Sequence, residues 1–175
     1  MTSKICAVML MTLAAALPGT AALAATPAED AAAATKLWVK AVIERDVDTQ
    51  VKMLPKRLFA TPEQIDRERK SRLHDKEMAI INGEKYLSFD VEPTGQSGKV
   101  GNMIVMVFPY RAVVQVRQGK LQRESSLLAV AEEGSSNWSV IDGSGQNPRS
   151  IKVFVPGYTG VPSVPVARSV LLKPE

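Results

Sequence analysis

The sequence predicts an α+β fold, with N-terminal helices packed on a curved antiparallel sheet, and three observations carry the prediction. Two segments repeat one helix-start signal, TPAE at Thr26 and TPEQ at Thr61. From Tyr86 the apolar spacing changes from helical to alternating, the signature of strands with one buried face. Turn residues then separate runs of strand length, and helices followed by strands make an α+β plan.

Each helix has a local reason. In TPAE and TPEQ, Thr stands at the N-cap and Pro at the first helical position. Glu29 or Gln64 follows three residues after the cap, so side chains and orphan backbone donors satisfy one another. The first helix is expected to reach about Arg45, with Ala34, Leu37, Trp38, Ala41 and Val42 as its buried stripe. A short second helix presents Val47, Val51 and Leu54 on one side and ends at Pro55. The third runs from Pro62 to about Asn82, solvated in its front half and finishing on Met78, Ile80 and Ile81 before Gly83.

The strands begin with LSFDVEP. The glycine-rich TGQSGKVGN reads as a flexible loop, and a long strand from Met103 to Arg117 follows with Ile104, Met106, Phe108, Tyr110, Ala112, Val114 and Val116 on one parity. Pro109 removes a ladder donor, so a bulge or bend is expected there. Gln118-Gly119 is a turn, Leu121 to Glu132 the next strand, and NWSVID the last member of the meander. Ile151 to Val155 could add a strand. Pro156, Pro162, Pro165 and Pro174 then make an extended tail that lies along the domain or frays.

The first residues point to export. Lys4, the apolar run from Ile5 to Leu17, the Pro18-Gly19 break and the small residues Ala22-Leu23-Ala24 are laid out like a cleaved signal peptide, with cleavage after Ala24 or Ala25. The apolar run is too short for a membrane span, so no span is expected after cleavage. Of the 175 residues, 22 are basic and 18 acidic, and cleavage leaves a net charge of +3. That is too mild for a polyanion partner, and the basic residues are interleaved with acids, as in DRERKSRLHDKE, so nucleic acid is not expected. The single cysteine, Cys6, lies in the leader, which removes disulfides, thiol nucleophiles and thiolate ligands from the mature chain. The expected location is periplasmic or secreted.

Helices followed by a curved meander ending in LLAVAEEGSSNWSVIDG resemble the nuclear transport factor two-like, or cystatin-like, cone fold. Trp38 in the first helix, RDVDTQ after it, and a late strand with Trp138 before Asp142 are similar to its exported bacterial members. The resemblance spans roughly Thr26 to Gly145. With the leader and the tail read from their own residues, the expected division is a signal peptide at 1–25, a cone-like domain at 26–150 and a Pro-rich extension at 151–175. The resemblance also implies a concave face for a small apolar ligand or partner segment, and a sheet face through which many members dimerise. The same architecture hosts enzymes, binders and interaction modules, so it does not choose among them.

The candidate site depends on strand register. If Arg117 pairs with Lys120, Tyr110 faces Leu127, Ala112 faces Ser125 and Val114 faces Arg123. If Ala131 faces Trp138, Ala129 faces Val140 and Leu127 faces Asp142. Tyr110, Arg123, Ser125 and Asp142 then share the concave surface, with Trp38 a further candidate to line a ligand pocket. In the resembling isomerases such a pocket pairs a carboxylate base with a donor that holds an enolate, which makes Asp142 and Tyr110 the catalytic candidates. The competing readings are that Asp142 opens the exit turn, that it pairs with Arg123, and that Trp38 and Trp138 are core.

Other chemistry finds little support. His74 lies in the charged part of the third helix with no nucleophile near it in sequence. No metal or cofactor is expected, because one His, no mature Cys and no calcium-loop spacing are present. Lys99 is followed by Val and no helix, which excludes a phosphate loop at Gly95, Gly98 and Gly101. The serines lack a nucleophile elbow. The leading functional expectation is a non-catalytic small-ligand-binding or protein-interaction module of the cell envelope. The alternative is a lyase or isomerase acting on a small carbonyl compound, and the tail docking to an envelope protein is a third expectation.

Overall fold

A computed structural model describes residues 25–59 and 61–172, so the expected signal peptide lies outside the described residues except for Ala25. Three helices come first: α1 (Pro27–Ile43), α2 (Val47–Lys52) and α3 (Pro62–Ile81). Both expected capping boxes form, at Thr26 with Glu29 and at Thr61 with Gln64. The strands are β1 (Lys85–Val91), β2 (Gln96–Val100), β3 (Met103–Val116), β4 (Gly119–Glu132), β5 (Ser139–Asp142) and β6 (Arg168–Leu172), with α4 (Pro148–Phe154) before the last. They form one curved, unclosed antiparallel sheet, the α+β arrangement expected.

The long strands β3 and β4 form its spine. On the β3 side, β2 pairs with Met103 to Val107 and β1 with Tyr110 to Gln115. On the β4 side, β5 pairs with Leu127 to Val130 and β6 with Lys120 to Glu124. Each flank therefore changes strand at the waist, where Pro109 and Tyr110 oppose Ser126 and Ser125. Pro109 causes no bulge, because it stands where the flank carries neither β1 nor β2, and its carbonyl accepts from the Glu92 N–H at 2.9 Å. The irregularity falls instead in β1, between Tyr86 and Ser88.

One face of the sheet is closed by α1. Trp38, Ala31 and Val39 pack there with Met106, Phe108, Tyr110, Leu127, Ala129, Trp138 and Val140. The buried stripe is rotated from the expected one: Ala31, Thr35, Trp38, Val39 and Ala41 point inward, while Leu37 is 51% exposed. Small Ala31 and Thr35 let the helix approach closely, and the Thr35 hydroxyl is satisfied by the Ala32 carbonyl at 2.8 Å. Val47, Val51 and Leu54 are buried as expected. The apolar end of α3 is not: Met78, Ile80 and Ile81 are exposed, and the helix buries no residue. Polar bonds hold it to α2, including Arg69 to Asp48 and Arg72 to Gln50.

Two further expectations are corrected, and of the two courses expected for the tail one is found. TGQSGKVGN is not a loop, since residues 96–100 form β2 and turn into β3 through Gly101, whose φ of +60° favours glycine. Ile151 to Val155 is not a strand. Asn147 caps α4, Pro148 takes the first helical position and Ser150 closes a capping box, the same grammar as TPAE. The tail, finally, covers the second face of the sheet, where Ile151, Phe154, Val155 and Tyr158 pack on Val105, Val107, Leu128, Val130 and Ile141. The Tyr158 hydroxyl donates to the Pro162 carbonyl, and β6 returns to pair with β4.

Candidate functional site

The β4–β5 register is the expected one, with Leu127 opposite Asp142 and Ala129 opposite Val140. The β3–β4 register is not. Val116 pairs with Gly119, which moves the turn to Arg117-Gln118 and sets Tyr110 opposite Ser125 and Ala112 opposite Arg123. The slip is two residues, and an even slip leaves every side chain on its original face. Tyr110, Ser125 and Asp142 therefore still converge.

The Tyr110 hydroxyl lies 3.3 Å from both oxygens of Asp142 and donates to that carboxylate. Asp142 Oδ1 also accepts from the Ser144 N–H at 2.8 Å, so one carboxylate both meets the phenol and braces the exit turn. Gly143 is required beside it, since a Cβ there would stand 2.7 Å from the Ser126 carbonyl. Tyr110 stacks at 4.6 Å on Phe89, which contacts Tyr86 at 5.6 Å. Burial raises the Tyr110 pKa well above the ordinary phenol value, and the Asp142 charge adds to the rise. The Ser125 hydroxyl pulls the other way, although its contact falls outside hydrogen-bond geometry. Burial also raises Tyr86, opposed by the charge of Arg123.

Arg123 shares this face but forms no ion pair with Asp142 among the described residues. Trp38 is 5% exposed and meets Phe89 edge-on at 6.5 Å, inside the core. Trp38, Phe108 and Trp138 belong to one packed cluster with Tyr110, so the concave face around Tyr110 is occupied by the protein's own side chains, and a smaller pocket of about 160 Å³ remains beside Tyr86, between the first three helices and β1. His74 is exposed on α3. No three potential metal ligands cluster, and no helix is long and apolar enough to cross a membrane, among the described residues.

An open cleft of about 740 Å³ lies at the waist of the sheet. It borders Tyr110 and Ser125, but the pleat sends those side chains to the concave face, and the cleft's charged lining comes from the opposite parity. Asp90, Arg111, Glu124 and Arg168 stand side by side on four adjacent strands, an alternating row of charge. Arg111 and Glu124 pair at 2.9 Å, while Pro109, Pro165 and Val166 supply apolar edges. Sequence reasoning missed this row. Its signal was the polar parity of β3 after Pro109, but joining Asp90 and Arg168 to it needed the pairing of β1 and β6.

Compared with protein-family models, with curated proteins and with solved structures, the chain finds no match in any of the three.

Proposed function

We propose that the chain is an exported, non-catalytic interaction module of the cell envelope, built on the nuclear transport factor two-like plan, whose waist cleft receives a partner segment. The observation that carries this reading is the contrast between the two faces. The concave face around Tyr110 is filled by Trp38, Phe108 and Trp138, whereas the second face keeps an open cleft of about 740 Å³ lined by alternating charges and prolines. A row of fixed charges between apolar edges suits an extended polypeptide, which offers polar groups at regular spacing. The order of helices and curved antiparallel strands supports the architectural part. A homodimer through the sheet would have to avoid the centre of the second face, which the tail occupies.

The test is site-specific photo-crosslinking in cells that express the protein. A photoreactive residue at Val166, exposed at the cleft, should give a discrete adduct that Arg111→Glu abolishes. The same probe at Val153, exposed on α4, should not give it. An adduct pattern shared by both positions, or none from Val166, refutes the reading.

A second reading, a lyase or isomerase using Asp142 as base and Tyr110 as donor, is favoured by their 3.3 Å contact. It requires the pair to open to a substrate, and turnover of small carbonyl compounds lost in Asp142→Asn would establish it.

A further inference from the structure

A second groove, of about 420 Å³, lies between α1, the end of α2 and the start of β5. Its α1 wall is Asp30, Ala33, Ala34 and Leu37, one continuous stripe at helical spacing. Leu37 is the side chain that the sequence places in the core and the structure leaves 51% exposed. The facing wall is Met53, Leu54 and Trp138, each less than a tenth exposed. Apolar side chains therefore form both walls, with alanines that leave room for an occupant, and Ser136, Asn137 and Ser139 complete the lining.

Two further features limit what that occupant can be. Lys52 and Lys56 border the groove, and neither forms an ion pair among the described residues. Asp30, in the first turn of α1, is the one acid of the lining. The indole N–H of Trp138, like that of Trp38, is buried and has no hydrogen-bond partner among the described residues. Apolar walls beside two ammonium groups that form no ion pair among the described residues are complementary to a small molecule with an apolar body and an anionic head.

We propose that this groove is a binding site for a small apolar carboxylate, its hydrocarbon against Leu37, Ala34 and Trp138 and its carboxylate at Lys52 and Lys56. The site is separate from the waist cleft and does not depend on it. Decanoate is the probe and decanol, which has the same tail without the charge, is its control. In ¹⁵N-labelled protein the two indole N–H resonances report Trp38 and Trp138 separately, with Trp138→Phe giving the assignment. Decanoate should move the Trp138 resonance saturably and leave that of Trp38 in place. Lys52→Ala with Lys56→Ala should weaken binding by about tenfold, equivalent to about 1.4 kcal/mol, and decanol should bind more weakly than decanoate. Absence of a saturable Trp138 shift overturns the site. Equal binding of decanol, or no effect of the lysine substitutions, overturns the carboxylate assignment.

Discussion

Replacing Ile151 with alanine tests whether the C-terminal segment belongs to the fold or merely follows it. Ile151 is 0% exposed, on α4 against the second face of the sheet. The substitution removes three carbons, about 2.4 kcal/mol of transfer free energy at about 0.8 kcal/mol each. The cavity left behind adds to this, and alanine returns a few tenths through helix propensity, so the expected loss is about 3 kcal/mol. With a urea slope of about 2 kcal/mol/M, the midpoint falls by about 1.5 M. Trp38 and Trp138, both buried, report the transition through their emission. Val153→Ala, at a position 63% exposed on the same helix, is the control and should change stability by less than about 0.5 kcal/mol. If the two variants unfold at the same urea concentration, α4 is not packed as described and the cover of the second face fails with it.

Three other predictions follow from single contacts. Gly98→Ala would place a Cβ 2.6 Å from Pro162 Cδ, and the rigid ring cannot swing aside. A loss of about 1–3 kcal/mol with faster proteolysis of the tail is expected, and an unchanged urea midpoint contradicts that contact. Tyr110→Phe removes the phenol donor from Asp142, which keeps the Ser144 N–H, so a loss of about 1 kcal/mol is expected at this long separation. A neutral result in denaturation would mean the phenol is not structurally engaged. All three tyrosines have raised pKa values, chiefly through burial, so none should ionise in the folded protein at the ordinary value of about 10. Because the folded values lie above the unfolded ones, this contribution to stability is intact below about pH 10 and declines as pH rises further. Phenolate absorbance that appears with a midpoint near 10 while tryptophan emission stays native would contradict the burial.

Much of the candidate site was legible because strand parity is a local property. Tyr110, Ser125 and Asp142 meet although the β3–β4 register is two residues from the expected one, since an even slip does not change faces. What parity cannot show is whether the shared face is open. That depends on α1, which buries Thr35 and leaves Leu37 outside, a rotation that apolar spacing alone did not distinguish. The opposite error occurs in α3, where the apolar Met78, Ile80 and Ile81 close a helix that buries no residue. The glycines of residues 95–101 were read as flexibility, yet Gly98 is small because Pro162, more than sixty residues later, lies against it.

The sequence by itself determined the starts of α1 and α3, the change to strand period and the parity of the sheet, and it offered the exit turn at Asp142 as one of its readings. Each rests on bonds between residues a few positions apart, such as Thr26 with Glu29 or Asp142 with Ser144. The tertiary structure decided the hairpin register, the closure of the concave face, the cover of the second face by residues 151–158 and the charge row at the waist. These are set by which surfaces meet across long separations in the chain, where packing and burial outweigh local preference.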